Sequence, residues 1–125
     1  MSNDKGYIYL RWHSSYKQLI KMGKAICPIE RNGTYITGEV YRGNYILIFK
    51  ILNKDYSECE NFLKAYFKKY NVCYSGGTEF YDKKIYFEIK DVLKELNIEY
   101  EIVNIEDINR KIKIKSIIKK FFNNI

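Results

Sequence analysis

The sequence predicts an α+β fold: a small mixed or antiparallel three-stranded sheet flanked by helices, followed by a C-terminal strand and a basic helix. Three observations lead to this prediction. Segments of strand composition, the first of them rich in Tyr and Ile, occur three times in the first 52 residues. Apolar residues then recur twice at helical spacing, and the chain ends in a Lys-rich stretch of helical character.

Length and composition place the chain among single globular domains. It has 125 residues, of which 46% are hydrophobic, and this content excludes intrinsic disorder. Lysines interrupt every apolar stretch, so no segment approaches the roughly 20 apolar residues of a membrane helix. No apolar signal core follows the first six residues, which predicts an intracellular, non-secreted protein without a membrane partner.

The three cysteines, Cys27, Cys59 and Cys73, are odd in number and widely spaced. A disulfide framework usually needs an even set, so we expect reduced thiols that serve as small buried hydrophobes. No C-x-x-C pair occurs and His13 is the only histidine, which argues against a zinc site.

The first segments predict a hairpin followed by a short helix. Gly6 to Arg11 and Leu19 to Lys24 both have strand composition, and their short polar connection favours antiparallel pairing. Pro28 suits the first turn of a helix, and Gly33 is expected to end it.

The middle of the chain predicts a central strand and an amphipathic helix. Val40 to Leu52 is the strongest strand signal, and its half from Tyr45 to Ile51 is apolar on both faces. Ser57 and Glu60 match a capping box at the start of a helix that extends to about Tyr70. The residues expected on the buried side of this helix are Phe62, Leu63, Tyr66, Phe67 and Tyr70.

The last third predicts a turn, two helices and an edge strand. Asn71 to Thr78 has turn composition, and Asp82 is placed to cap a helix that Asn97 ends. Glu99 to Ile105 alternates like an edge strand, and Glu106 to Phe122 reads as the basic helix. Its cations form either a solvated helix face, the preferred interpretation, or an added DNA contact; they are Arg110, Lys111, Lys113, Lys115, Lys119 and Lys120.

The charge balance favours a polyanionic partner. The formal net charge is +7, from 22 basic and 15 acidic residues. A charge of this size on one small domain attracts nucleic acid and disfavours acidic proteins, although AT-rich codon usage also enriches Lys.

Several polar residues stand in a defined order along these elements. Tyr7 and Tyr9 lie on the first strand, the sequence Lys21-Met22-Gly23 lies on the second, and Arg31 follows eight positions after Gly23. Far downstream, Glu79 follows a glycine turn. In this order and spacing, from about residue 6 to residue 96, the sequence resembles the GIY-YIG nuclease superfamily, in particular its short branch in bacteriophages and large DNA viruses.

The resemblance implies a GIY-YIG-like nuclease domain over residues 1–97 and a C-terminal extension, 98–125, packed on the same domain. It implies catalytic roles for Tyr9, Lys21, Arg31 and Glu79, with Glu79 as ligand of a divalent metal, most simply Mg²⁺ or alternatively Mn²⁺. The residues implied to contact the substrate DNA are Tyr7, Gly23, Lys24 and His13.

The implied chemistry is in-line hydrolysis of a phosphodiester. Arg31 would offer a fork of donors to the phosphate, and Tyr9 would be the base that activates water. A free tyrosine has a pKa of about 10. Lys21, which stands where the superfamily usually has a second tyrosine, would favour the phenolate form of Tyr9. Lys64 occupies the place of a histidine that the branch carries after the glutamate of its E-x-x-L stretch, here Glu60 to Leu63.

Each residue also has a structural interpretation. Tyr9 is one of 13 tyrosines and would serve equally as a core residue, and Arg31 as an ordinary ion-pair partner. Glu60 is interpreted as the capping-box residue, and His13 as part of a solvated loop or a phosphate contact.

The predicted function is therefore a metal-dependent DNA endonuclease of low intrinsic sequence specificity, with room for a protein partner that supplies specificity. The first alternative is a nucleic-acid-binding module on the same scaffold with weakened activity. The second is a protein-interaction domain with incidental basicity. The sequence leaves the oligomeric state and the biological process open.

Overall fold

A computed structural model describes residues 6–13, 16–29, 44–74 and 77–123. In this part of the chain the fold is α+β, as predicted, with three helices: α1 (Tyr56–Tyr66), α2 (Ile85–Glu95) and α3 (Ile105–Asn123). The sheet is larger than the three strands expected. Its six strands are β1 (Tyr7–Trp12), β2 (Leu19–Ala25), β3 (Asn44–Ile51), β4 (Asn71–Tyr74), β5 (Gly77–Asp82) and β6 (Tyr100–Ile102).

The strands form one antiparallel sheet in the order β4-β5-β2-β1-β3-β6. The β1–β2 hairpin predicted from the sequence is confirmed, with Tyr7 opposite Ala25. β3 lies between β1 and β6, as expected for a strand that is apolar on both faces, and β6 occupies the predicted edge.

The segment predicted to be a turn between residues 71 and 78 is instead most of a second hairpin. β4 pairs with β5 through Asn71 opposite Tyr81 and Val72 opposite Phe80. Asn71 also donates from its side-chain amide to the carbonyl oxygens of Thr78 and Phe80, at 2.8 and 3.0 Å. Pairing with β5 thus overrides the turn composition, because strand propensity depends strongly on the neighbouring strand.

The two faces of the sheet are covered by different helices. The α1/α2 face packs the side chains of Ile8, Leu10, Met22 and Phe49 against both helices. On the other side, which we name the α3 face, the buried cluster comprises Tyr9, Ala25, Tyr45, Ile48 and Ile112, with Ile105 and Ile108 packed against it. Strand side chains alternate between the faces, so β1, β2 and β3 contribute to both cores.

The buried side of α1 is narrower than predicted. Leu63 and Phe67 are fully buried, as expected, whereas Phe62 and Tyr66 are 42% and 46% exposed. The helix presents Cys59 and Leu63, at i and i+4, to the sheet, and this spacing turns residue 62 outward.

The cysteines are reduced among the described residues, as expected, but only one is buried. Cys59 lies in the α1/α2 core, where burial raises the pKa of its thiol to about 12. It is therefore a protonated, small hydrophobic group at neutral pH. Cys73 is exposed, which corrects the expectation of a buried thiol there.

The helix ends partly follow the sequence prediction. α1 is capped by Asp55, whose Oδ1 accepts hydrogen bonds from the backbone N–H groups of Ser57 and Glu58, at 2.7 and 3.4 Å. The predicted capping box of Ser57 and Glu60 is therefore wrong. Before α2, the Asp82 side chain accepts from the N–H of Lys84, but α2 begins two residues later than an Asp82 cap would place it.

The predicted end of α2 is confirmed. Asn97, with a φ of 55°, follows α2 and lets the chain leave the helix. Pro28 and Ile29 are helical, and the rest of that predicted helix lies outside the described residues.

Residues beyond 97 add β6 to the edge of the sheet, against β3, and α3 to the α3 face. In the described part of the chain, no helix has the length and apolar character needed to cross a bilayer.

We expect Asp55→Ala to lower the free energy of unfolding by about 1 kcal/mol, since it removes the N-cap of α1. Ser57→Ala should cost less than about 0.5 kcal/mol, because only an exposed hydrogen bond from Lys24 is lost. Urea unfolding of both variants measures the difference. Equal losses would contradict the assignment of the cap to Asp55.

Candidate functional site

The antiparallel register places the two N-terminal motifs side by side. Tyr9 lies directly opposite Gly23 in the β1–β2 pair. The ring of Tyr9 lies over the backbone of Gly23, so closely that a Cβ there would lie 2.6 Å from Cζ of the tyrosine and closer still to its hydroxyl. A glycine is needed at this position because a side chain would occupy the space of the tyrosine.

Tyr9 is a core residue of the α3 face. It is 0% exposed, and its ring meets the edge of Tyr45 at 5.2 Å between centroids. The Tyr45 hydroxyl donates to the backbone carbonyl of Pro28 at 2.6 Å. These contacts tie β1, β3 and the segment after β2 together around the phenol that the sequence assigned to catalysis.

The cationic residues of the α3 face lie next to aromatic rings. Lys21 is directly opposite Arg11 on β1 and Phe80 on β5, and its Nζ lies 5.2 Å from the Phe80 ring centroid. Arg11 is fully buried, with its guanidinium carbon 5.5 Å from the Tyr45 ring centroid. Lys21 thus shares a face with Tyr9, but the residue directly opposite Tyr9 is Gly23.

His13 is not part of a solvated loop, contrary to one sequence interpretation. It is only 3% exposed, and its ring stacks on Tyr16 with 5.4 Å between centroids. Tyr16 in turn meets the edge of Phe80 at 5.0 Å. Through these ring contacts, His13 and Tyr16 connect the segment after β1 with strand β5.

Glu79 lies on the opposite face of the sheet from Tyr9 and Lys21. In the β2–β5 pair, Lys21 faces Phe80, which places Phe80 on the α3 face. Its neighbour Tyr81 packs in the α1/α2 core, and alternation puts Glu79 on that same side. The expectation that Tyr9, Lys21 and Glu79 converge in one cleft is therefore corrected, while Arg31 lies outside the described residues.

A different polar group forms around Glu60 on the α1/α2 face. The side chain of Glu60 is 5% exposed, and its Oε1 lies 3.3 Å from Nζ of Lys64 and 3.9 Å from Nζ of Lys24. Lys24 also donates to Oγ of Ser57 at 2.9 Å. Burial of a carboxylate is tolerated when cations lie next to it, so the two lysines explain the position of Glu60.

Tyr81 shares the α1/α2 side of the sheet with Glu60 and Glu79. Burial, followed by the negative charges of Glu60 and Glu79, raises the pKa of the Tyr81 phenol above 10. The phenol of Tyr81 therefore stays protonated at neutral pH. We name the set the Glu60 cluster; it comprises Lys24, Ser57, Glu60, Lys64, Glu79 and Tyr81.

Of the predicted site residues that the structure describes, only Lys24 and Glu79 belong to this cluster. Sequence reasoning missed Glu60 because Ser57 three residues earlier matched a capping box, although Asp55 offers an equally good cap. Spacing of four residues between Glu60 and Lys64 was the signal for an ion pair. Tyr81 was recognisable as a neighbour of Glu79 only through strand alternation.

No family model matches the sequence, and neither the curated proteins nor the solved structures contain a significant match. Across the described residues, no three or more His, Cys, Asp or Glu side chains are grouped closely enough to hold a metal ion by themselves.

We expect Gly23→Ala to lower the free energy of unfolding by about 1–3 kcal/mol, because the added methyl overpacks the Tyr9 ring. Combining it with Tyr9→Ala should remove most of this cost, since the space is then vacant. Urea unfolding of the two single variants and the double variant gives the coupling. Strict additivity would contradict the contact.

We expect Glu60→Gln to lower the pKa of Tyr81, because removing a nearby negative charge favours the phenolate. Burial remains, so the pKa should stay above 10. Alkaline titration of ¹³Cζ tyrosine resonances by NMR measures it. The matched control is Glu95→Gln, which should lower the pKa of Tyr66 and leave that of Tyr81 unchanged. An unchanged Tyr81 titration in Glu60→Gln would contradict the cluster.

Proposed function

We propose that the protein is a metal-dependent DNA endonuclease of GIY-YIG type with low intrinsic sequence specificity. The observation that carries the proposal is the nearly buried carboxylate of Glu60, which lies 3.9 Å from the ammonium group of Lys24 on the side of the sheet that also carries Glu79. Two carboxylates next to a cation on a domain of net charge +7 suit a reaction at a phosphate group. The substrate is assigned by charge and by the resemblance of the β1–β2 motifs to the nuclease superfamily.

The oxygen donors of the cluster fit a hard divalent cation. Glu60 and Glu79 would hold Mg²⁺ or Mn²⁺, and the Ser57 hydroxyl is a further oxygen nearby. Such an ion, when bound, supplies Lewis-acid polarisation of the phosphate and stabilises the leaving oxygen.

The protein's own groups would then orient the substrate. Tyr81, which is 3% exposed in the α1/α2 core and keeps its proton, would support the cluster from within rather than accept a proton from water. Lys24, whose side chain is 40% exposed, balances the charge on a non-bridging oxygen. Arg31 retains the phosphate-binding role that the sequence resemblance gives it.

We do not assign the role of general base to Tyr9. Its hydroxyl lies against Gly23 within the buried cluster of the α3 face, away from the Glu60 cluster. A base must reach the water that it activates. We therefore assign the Tyr9–Gly23 contact to the stability of the hairpin and place the substrate on the α1/α2 side.

A nucleic-acid-binding module without hydrolysis is the second candidate. Complete burial of Tyr9 favours it, because the tyrosine of the first motif is then occupied in packing. Glu60 also has two lysine partners already, which compete with a divalent ion for its charge.

Nicking of supercoiled plasmid tests the proposal. With Mg²⁺ or Mn²⁺ we expect nicked circles, and with EDTA none. Glu60→Gln, Glu79→Gln and Arg31→Ala should each lower the rate by about 100-fold or more, the scale of losing one group that stabilises the transition state. The control Glu95→Gln should retain the rate, since Glu95 is exposed on α2 and contacts Tyr66.

The outcomes separate the two candidates. Plasmid retention in gel shifts without nicking by the wild-type protein would support the binding module and overturn the endonuclease. Nicking that persists in Glu60→Gln and Glu79→Gln would exclude the Glu60 cluster as its site.

A further inference from the structure

We infer that Lys24 and Lys64 form a fixed ammonium pair that binds a backbone phosphate of nucleic acid without a metal ion, with Glu60 as the residue that positions both. The inference rests on the proposed function only in taking nucleic acid as the partner. It does not require hydrolysis.

The two ammonium groups come from different elements and meet at one oxygen. Lys24 lies on β2 and Lys64 on α1, yet each Nζ lies within 4 Å of Oε1 of Glu60. Both lysine side chains are 40% exposed, whereas that of Glu60 is 5% exposed. Oε1 of the carboxylate thus lies near both ammoniums, and both lysine side chains remain partly open to solvent.

Burial of Glu60 makes this pairing stable. A buried carboxylate that lost its cations would be left with an uncompensated charge, so the ammoniums are held near it. Free lysine side chains have much rotamer entropy, and a group already held in place loses less of it on binding. The buried carboxylate therefore prepares the pair for a ligand.

Lys24 is fixed by two further contacts. Its Nζ donates to Oγ of Ser57 at 2.9 Å and lies 5.9 Å from the centroid of the Tyr56 ring. An ammonium has three donor hydrogens, of which Ser57 accepts one, while Glu60 at 3.9 Å attracts the ammonium by its charge. The side chain of Lys24 is 40% exposed, so a remaining donor suits one oxygen of a bound phosphate.

The net charge of Lys24, Lys64 and Glu60 together favours an anionic ligand. Two ammoniums and one carboxylate leave a net charge of +1, on a domain whose total is +7. Phosphate oxygens accept charge-assisted hydrogen bonds from ammonium groups, and each phosphate neutralised in this way releases counterions. A backbone phosphate therefore fits the pair, and an acidic polypeptide is the competing occupant.

Fluorescence anisotropy with a short labelled DNA duplex, in EDTA and across a salt series, tests the inference. The variants are Lys24→Met and Lys64→Met, which retain the stem and remove the charge. Each should weaken binding about three- to ten-fold at low salt and reduce the slope of log K against log salt by about one. The matched control is Lys90→Met, an exposed lysine on α2; it should change the slope by much less.

Charge-retaining variants guard against a loss of folding. Lys24→Arg and Lys64→Arg should keep the wild-type slope. Lys64→Gln, which is uncharged but can still hydrogen-bond Glu60, should show a slope reduced as in Lys64→Met. Thermal unfolding of every variant shows which are folded. Slopes for Lys24→Met and Lys64→Met that equal the slope of the Lys90→Met control would overturn the inference.

The remaining outcomes are also decisive. Poly-glutamate that competes as well as unlabelled duplex of equal charge would overturn the assignment to phosphate. Binding that requires Mg²⁺ would overturn metal independence. Wild-type protein that binds the duplex in EDTA with the expected slopes but never nicks plasmid would uphold the inference while the proposed endonuclease fails.

Discussion

The register of β1 with β2, and of β2 with β5, decides which polar residues of this protein can act together. Tyr9 faces Gly23, and Lys21 faces Phe80, so both Tyr9 and Lys21 belong to the α3 face. Glu79 is one residue from Phe80 and therefore belongs to the other face. A shift of one residue in either pair would exchange the faces, but it would also expose an apolar core, and this fixes the register.

The Glu60 cluster depends on that same register. Lys24 reaches α1 because it follows Gly23 on β2 and therefore points to the α1/α2 face, opposite Ile8. Packing of Cys59 and Leu63 against the sheet brings Glu60 beneath Lys24, where burial of its charge requires a cation. Hydrophobic packing of α1 thus fixes the position of the Glu60 carboxylate, and its negative charge attracts Lys24 and Lys64.

Sequence patterns predicted most of the elements because their signals are local. The β1–β2 hairpin, β3, the helix ended by Asn97 and the edge strand all follow from periodicity and turn residues. The strand from Asn71 to Tyr74 was not recognised, since its stability comes from pairing with β5 rather than from its own composition. The cap of α1 was misassigned because two side chains near its start satisfy the same pattern.

The sequence alone determined the α+β class, the positive charge and the set of residue types able to bind phosphate or a metal ion. Only the tertiary structure decided that Tyr9 is buried and that Glu60, rather than completing a helix cap, is a carboxylate paired with Lys24 and Lys64. The reason is physical: composition and periodicity depend on neighbours along the chain, whereas burial and charge pairing depend on contacts between strands and helices distant in sequence.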